Sequence, residues 1–192
     1  MNNGVKAVLI ILGVIAVIAI GAVMYGVGEY NKAVAMDEQV KSQWAQVDNQ
    51  LKRRYDLIPN LVETVKGYAK HEKELFENIA NAKTKYFQAN TVKDKIQASQ
   101  QLEGVLSRLL LLQENIPQLK ANENFLKLQD SLEGTENRIA VERMRYNDTV
   151  KILNTYRRSV FGKFFASLAG VNEAQYYELP QAEKEAPKVK FQ

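Results

Sequence analysis

The sequence predicts an all-α protein: an N-terminal transmembrane helix followed by an antiparallel four-helix bundle with two long helices. Three observations carry this expectation. An uncharged apolar run opens the chain, from Ala7 to Gly28. Beyond it, apolar residues recur every three or four positions, which is the helical period. Neither the alternation of a half-buried strand nor the paired turn residues of a hairpin can be found.

The apolar run is roughly 22 residues, or about 33 Å of helix, and a bilayer core is about 30 Å thick. A spanning segment must satisfy its own backbone polar groups, and a helix does so. Val and Ile dominate from Val5 to Ile20, and Gly13 and Gly21 are tolerated in membrane helices. A cleaved signal peptide is the rival reading, but its apolar core is about 7–15 residues. Ala19-Ile20-Gly21 and Gly26-Val27-Gly28 resemble small-x-small cleavage sites, yet no polar stretch separates them from the core. A retained anchor is therefore expected. The chain has no cysteine, which excludes lipoprotein attachment, disulfides, thiolate metal sites and cysteine nucleophiles. Lys6 and the α-amino group precede the run, whereas Lys32 and Lys41 after it are mixed with Glu29, Asp37 and Glu38. The positive-inside rule then places the N-terminus in the cytoplasm and the body outside it.

Four helices are expected after the anchor, near 29–69, 72–89, 92–116 and 121–159. In the first, Trp44, Val47, Leu51, Ile58, Val65 and Tyr68 form one stripe, with Arg54 and Leu61 between them. Gly67 is a plausible terminator. Pro59 lies inside the pattern, so either the helix kinks near Tyr55–Asp56 or Asp56 caps a new one. The second helix carries Leu75, Ile79, Ala82 and Tyr86. Thr91 can cap the third, which carries Ile96, Leu102, Val105, Leu109 and Leu112 and ends before Pro117. Asn122 can cap the fourth. Its stripe runs through Phe125, Leu128, Leu132, Thr135, Ile139, Tyr146, Leu153 and Tyr156. A short antiparallel pair on the distal half of two long helices makes a four-helix bundle. Fusion of the second and third helices would instead make a three-helix coil.

In the four-helix arrangement the end of the fourth helix returns to the membrane. There Val160, Phe161, Phe164, Phe165 and Leu168 share a helical face, with Arg157, Arg158 and Lys163 as polar neighbours. Two readings fit: the aromatics cap the bundle end, or they touch the membrane surface. The domain organisation is then 1–28 tail and anchor, 29–172 helical body with this amphipathic end, and 173–192 an extended tail with Pro180 and Pro187. Tyr176-Tyr177 and Val189-Lys190-Phe191 are the tail's apolar points for docking.

The segment from Ser42-Gln43-Trp44 through Arg53-Arg54-Tyr55-Asp56-Leu57-Ile58-Pro59-Asn60 to His71-Glu72 closely resembles the bacterial LemA family. So do Gly134-Thr135-Glu136-Asn137-Arg138-Ile139-Ala140, Arg145-Tyr146-Asn147, Tyr177-Glu178 and Pro187-Lys188-Val189-Lys190-Phe191. The resemblance covers nearly the whole chain and implies a membrane-anchored antiparallel helical bundle in the bacterial plasma membrane. It implies no defined biochemical activity. One departure is Tyr177, where members often carry Phe.

Catalytic chemistry finds little footing. His71-Glu72 lacks the second His of a zinc-protease helix, since Leu75 stands at that position. One His cannot supply the paired Glu-x-x-His motifs of a di-metal bundle, so Glu63, Glu72 and Glu77 are not read as ligands. Phosphate-binding loops and nucleophile elbows are lacking too. The net charge is +4 with a pI near 9.1. No nucleic-acid reading motif accompanies it, so the excess is assigned to anionic lipid. No cofactor and no nucleic acid are expected.

What remains is polar. Arg53, Arg54, Asp56 and Asn60 on the first helix face a complementary set on the fourth: Glu136, Asn137, Arg138, Arg143 and Asn147. Asn147 and Asn154 are a heptad apart and share a face. These groups form either an interhelical polar network that fixes register, or a surface for a partner or a second copy. The expected function is a non-catalytic membrane scaffold that presents its bundle for self-assembly or partner binding, or alternatively a monomeric adaptor or accessory subunit of a membrane enzyme or envelope complex. Its partners are the lipid bilayer, further copies of itself, and other membrane or envelope proteins.

Overall fold

The computed structural model describes residues 3–69 and 71–178. The docking points expected at Val189–Phe191, and Pro180 and Pro187, lie outside the described residues. Six helices appear and, among the described residues, no strand: α1 Asn3–Lys66, α2 Lys73–Gln88, α3 Val92–Asn115, α4 Pro117–Lys120, α5 Glu123–Arg158 and α6 Val160–Leu168.

α1 joins the expected anchor and the expected first body helix without interruption. None of its most apolar stretch is buried against the rest of the chain, and by length and composition it can cross a membrane. The helix continues through Pro59. Asp56 is exposed within it and caps nothing. α1 ends at Lys66, where Tyr68 and Ala69 both donate to Val65 O at 2.9 Å. Tyr68, expected on the buried stripe, is instead exposed at its rim and receives Asn122 Nδ2 on its hydroxyl.

The helix boundaries follow local chemistry. Thr91 Oγ1 accepts from Asp94 N at 3.1 Å and caps α3. α2 and α3 are therefore separate helices, not one fused helix. Ile116, before Pro117, is extended and ends α3, and Pro117 opens the single turn of α4, which was not anticipated. Asn122 Oδ1 accepts from Phe125 N at 3.0 Å at the start of α5. Ser159 Oγ accepts from Gly162 N at 3.1 Å and caps α6. At the far end Gly170 has φ 68°, Val171 N donates to Ala166 O and Gly170 N to Ser167 O. This paired closure with a left-handed glycine is a Schellman motif.

The chain divides into two compact units, residues 1–42 with 148–174 and residues 43–147 with 175–192. In the first, Ala33 and Val40 of α1, Val150, Leu153 and Tyr156 of α5, and Ala166 and Val171 are buried. The second buries Val47, Leu51, Tyr55, Ile58, Leu61 and Val65 of α1. It also buries Leu102 and Leu109 of α3, and Phe125, Ile139 and Tyr146 of α5. Within it α2 and α3 pack on each other. Tyr177, beyond α6, is buried in the same unit at 2 % exposure.

Candidate functional site

Within the larger unit, α1 carries two buried charges. Asp48 is the fully partnered one. Its carboxylate accepts from Tyr86 OH at 2.5 Å and from Lys95 Nζ and Lys52 Nζ at 2.9 Å each. Burial pushes its pKa up, but the bonds from Lys95, Tyr86 and Lys52 outweigh that and hold it below the usual carboxylate value. Burial, reinforced by the bond to Asp48, pushes the Tyr86 phenol far up, so it stays a neutral donor. Tyr55 stacks on Tyr86 with ring centroids 4.3 Å apart.

Arg54 is the other. Its side chain is 2 % exposed and is paired through Nη2 with Glu136 on α5, which is 44 % exposed. Arg54 Nη1 is buried and has no hydrogen-bond partner. The guanidinium lines a cavity of about 330 Å³ between α1, α3 and α5. Leu106, Leu110 and Leu132 form its apolar wall, and Glu103, Glu133 and Glu136 its acidic groups. Ser107 also lines it, but its hydroxyl donates to Glu103 O within α3. The cavity can thus offer an N–H to an acceptor, carboxylates to a cation, and leucines to an apolar side chain. Among the described residues nothing beside it pairs a nucleophile with a base.

The expected polar set is only partly assembled. Arg54 and Glu136 meet. Arg53, Asp56, Asn60, Asn137 and Arg138 are exposed and make no interhelical bond to each other among the described contacts. Asn147 turns to the segment after α6: its carboxamide accepts from Tyr177 N at 2.8 Å and donates to Tyr177 O at 2.9 Å. Arg143 lies 5.7 Å from the centroid of the Tyr177 ring. In the smaller unit Asn154 clasps Ala174 in the same way, at 3.0 and 2.9 Å. The Tyr177 hydroxyl bonds Ser99 Oγ at 2.7 Å. Trp44 packs edge-on against Tyr146, and Tyr146 OH donates to Gln175 O at 2.7 Å. Burial raises that phenol to about 12.

Sequence reading missed the Asp48–Tyr86–Lys95 cluster. Its only trace was a carboxylate beside Val47 on the buried stripe, with nothing to point to helices 38 and 47 residues away.

At the membrane-side candidates, in the smaller unit, Phe161, Lys163, Phe164 and Arg158 are exposed, and Arg157 and Phe165 are half-buried. Phe161 meets Tyr25 of α1 edge-on at 6.1 Å. Tyr156 OH donates to Glu29 O at 2.9 Å, and Lys32 Nζ lies 5.1 Å from the Tyr156 ring centroid.

A long exposed apolar helix, continued into a largely helical body whose inner charges mostly hold helices together, defines a membrane-associated helical protein. The chain belongs to the LemA family, whose family model matches residues 43–191. It is similar to two proteins of Paramagnetospirillum magneticum (strain ATCC 700264 / AMB-1), magnetosome protein MamQ 1 and magnetosome protein MamQ 2. Each is 22 % identical to it, over 93 % of this chain and 74 % of the relative.

Proposed function

We propose that the chain is a non-catalytic, single-pass scaffold of the bacterial plasma membrane. In this reading residues 7–28 cross the bilayer with the N-terminus in the cytoplasm. The remainder forms an antiparallel four-helix bundle outside, which assembles with further copies of itself. The observation that carries the reading is α1 itself: an exposed apolar stretch long enough to span continues directly into helix that lines a packed core. Family membership supports it. The test is the mass of the full chain in nanodiscs or detergent by light scattering. A defined oligomer is expected, and a monomer at all concentrations would overturn self-assembly.

A second reading, an adaptor that binds another envelope protein, is favoured by one observation. The partnerless Arg54 N–H in a cavity with leucine and glutamate walls suits a peptide segment with basic and apolar side chains. A monomeric mass together with capture of an envelope protein that Arg54→Met abolishes would select this reading.

A further inference from the structure

The geometry points to α6 as a second membrane contact, an interfacial helix seated at the boundary between acyl chains and headgroups. The inference rests on the reading that residues 7–28 span a bilayer.

α6 has two unlike faces. Gly162 and Ala166 are buried against the smaller unit. On the opposite side Val160, Phe161, Phe164 and Leu168 are 86, 61, 64 and 63 % exposed. At 100° per residue these four fall within about a quarter of the helix circumference. Phe161 touches Tyr25 and Phe164 touches Phe165 edge-on, yet among the described residues nothing covers this face, and all four side chains stay mostly exposed. Lys163 flanks that face, and Arg157 and Arg158 close α5 just before it. An apolar face bordered by basic residues is the pattern of a helix lying in the plane of an anionic bilayer surface.

Its place along α1 decides what covers the face. Phe161 meets Tyr25, and Phe165 stands 3.5 Å from where a Cβ on Gly26 would be. For an untilted helix, Tyr25 is about 11 Å from the middle of the apolar run, inside a half-thickness of about 15 Å. The rings of α6 therefore reach the edge of the hydrocarbon. Glu29, bonded by Tyr156, sits about one turn further out and Lys32 about two, at headgroup level, where a tyrosine hydroxyl and charged groups stay solvated. A membrane that accepts α1 meets α6 as well.

Gly162 holds this placement. A Cβ there would stand 2.0 Å from Tyr156 O and 2.5 Å from Ser159 Oγ, so the tight turn from α5 into α6 tolerates no side chain.

The chain has no cysteine, so single-cysteine variants label cleanly. The experiment uses the full chain in nanodiscs of phosphatidylcholine and phosphatidylglycerol, labelled with an environment-sensitive fluorophore and quenched by brominated lipids. Ile15→Cys reports the span, Phe164→Cys and Leu168→Cys report α6, and Leu111→Cys on α3 reports solvent. Strong quenching at 15, shallow-depth quenching at 164 and 168, and none at 111 are expected. Adding Gly162→Leu should lower the quenching at 164 at least twofold while leaving 15 unchanged. Quenching at 15 with none at 164 and 168 overturns the inference and leaves the anchor intact. A blue-shifted label at 164 that brominated lipid fails to quench, but that self-quenches with protein density, overturns it in favour of a second copy on this face. Absence of quenching at 15 overturns the anchor reading, and the inference with it.

Discussion

Asp48 and Arg54 sit within two turns of each other on α1, both buried and both charged, yet they are treated differently. Asp48 receives three donors: Tyr86 from α2, Lys95 from α3 and Lys52 from one turn along its own helix. Arg54 has one anionic partner, itself half in solvent, a spare N–H and an adjoining cavity. Burying an ion costs several kcal/mol unless bonds replace its hydration. The first charge meets that condition and acts as a tie between α1, α2 and α3. The second meets it incompletely, and on the adaptor reading proposed above this is where a partner segment would bind.

Breaking each side of the comparison gives graded outcomes. Asp48→Ala, which strands Lys95 and Tyr86, should cost about 3 kcal/mol of unfolding free energy by urea denaturation followed by circular dichroism. Glu136→Gln should cost about 2 kcal/mol in the same assay, less because the carboxylate is half exposed. Acid should act through Asp48. Its folded pKa lies below the ordinary 3.8, so its contribution is complete above that value and is lost as pH falls through the folded pKa. Asp48→Asn should therefore flatten the acid limb of a stability–pH curve below pH 4, an unchanged limb assigning acid lability elsewhere. Tyr177→Phe should cost about 1 kcal/mol, because Ser99 keeps its bond to Ile96 O. Arg54→Met, similar in volume and without charge, should shift the urea midpoint least of all. A loss as large as that of Asp48→Ala would show Arg54 to be a tie like its neighbour and would remove the cavity as a binding site.

The stripes were legible because burial repeats with the helical period. Val47, Leu51, Ile58, Leu61 and Val65 are all buried, as are Phe125, Leu132, Thr135, Ile139, Tyr146 and Leu153. The caps at Thr91 and Asn122 and the stop before Pro117 were legible because each acts within three residues. Pairing across helices was not. Arg54 finds Glu136, 82 residues away, while Asn137 and Arg138, equally polar and adjacent in sequence, point outward. Which polar residue of a run faces inward depends on one rotation of 100° per residue. That small angle is below what a charge cluster in a sequence can specify. Tyr177 was legible only as a docking point. Its seat among Asn147, Ser99 and Trp44 required the helices to be placed first.

The asparagine clasps have a consequence for length. A helix rises about 10.5 Å in seven residues, and an extended chain covers about 10 Å in three. Asn147 and Asn154 differ by seven, and the residues they hold, Tyr177 and Ala174, differ by three. The two repeats are commensurate, so α5 acts as a ruler for the chain that follows α6. In the sequence the pattern does not repeat, since Ala140 stands seven before Asn147, and Pro180, three after Tyr177, has no N–H. Surface connections ordinarily absorb insertions and deletions. Between Ala174 and Tyr177 a single added or missing residue would put one clasp out of step.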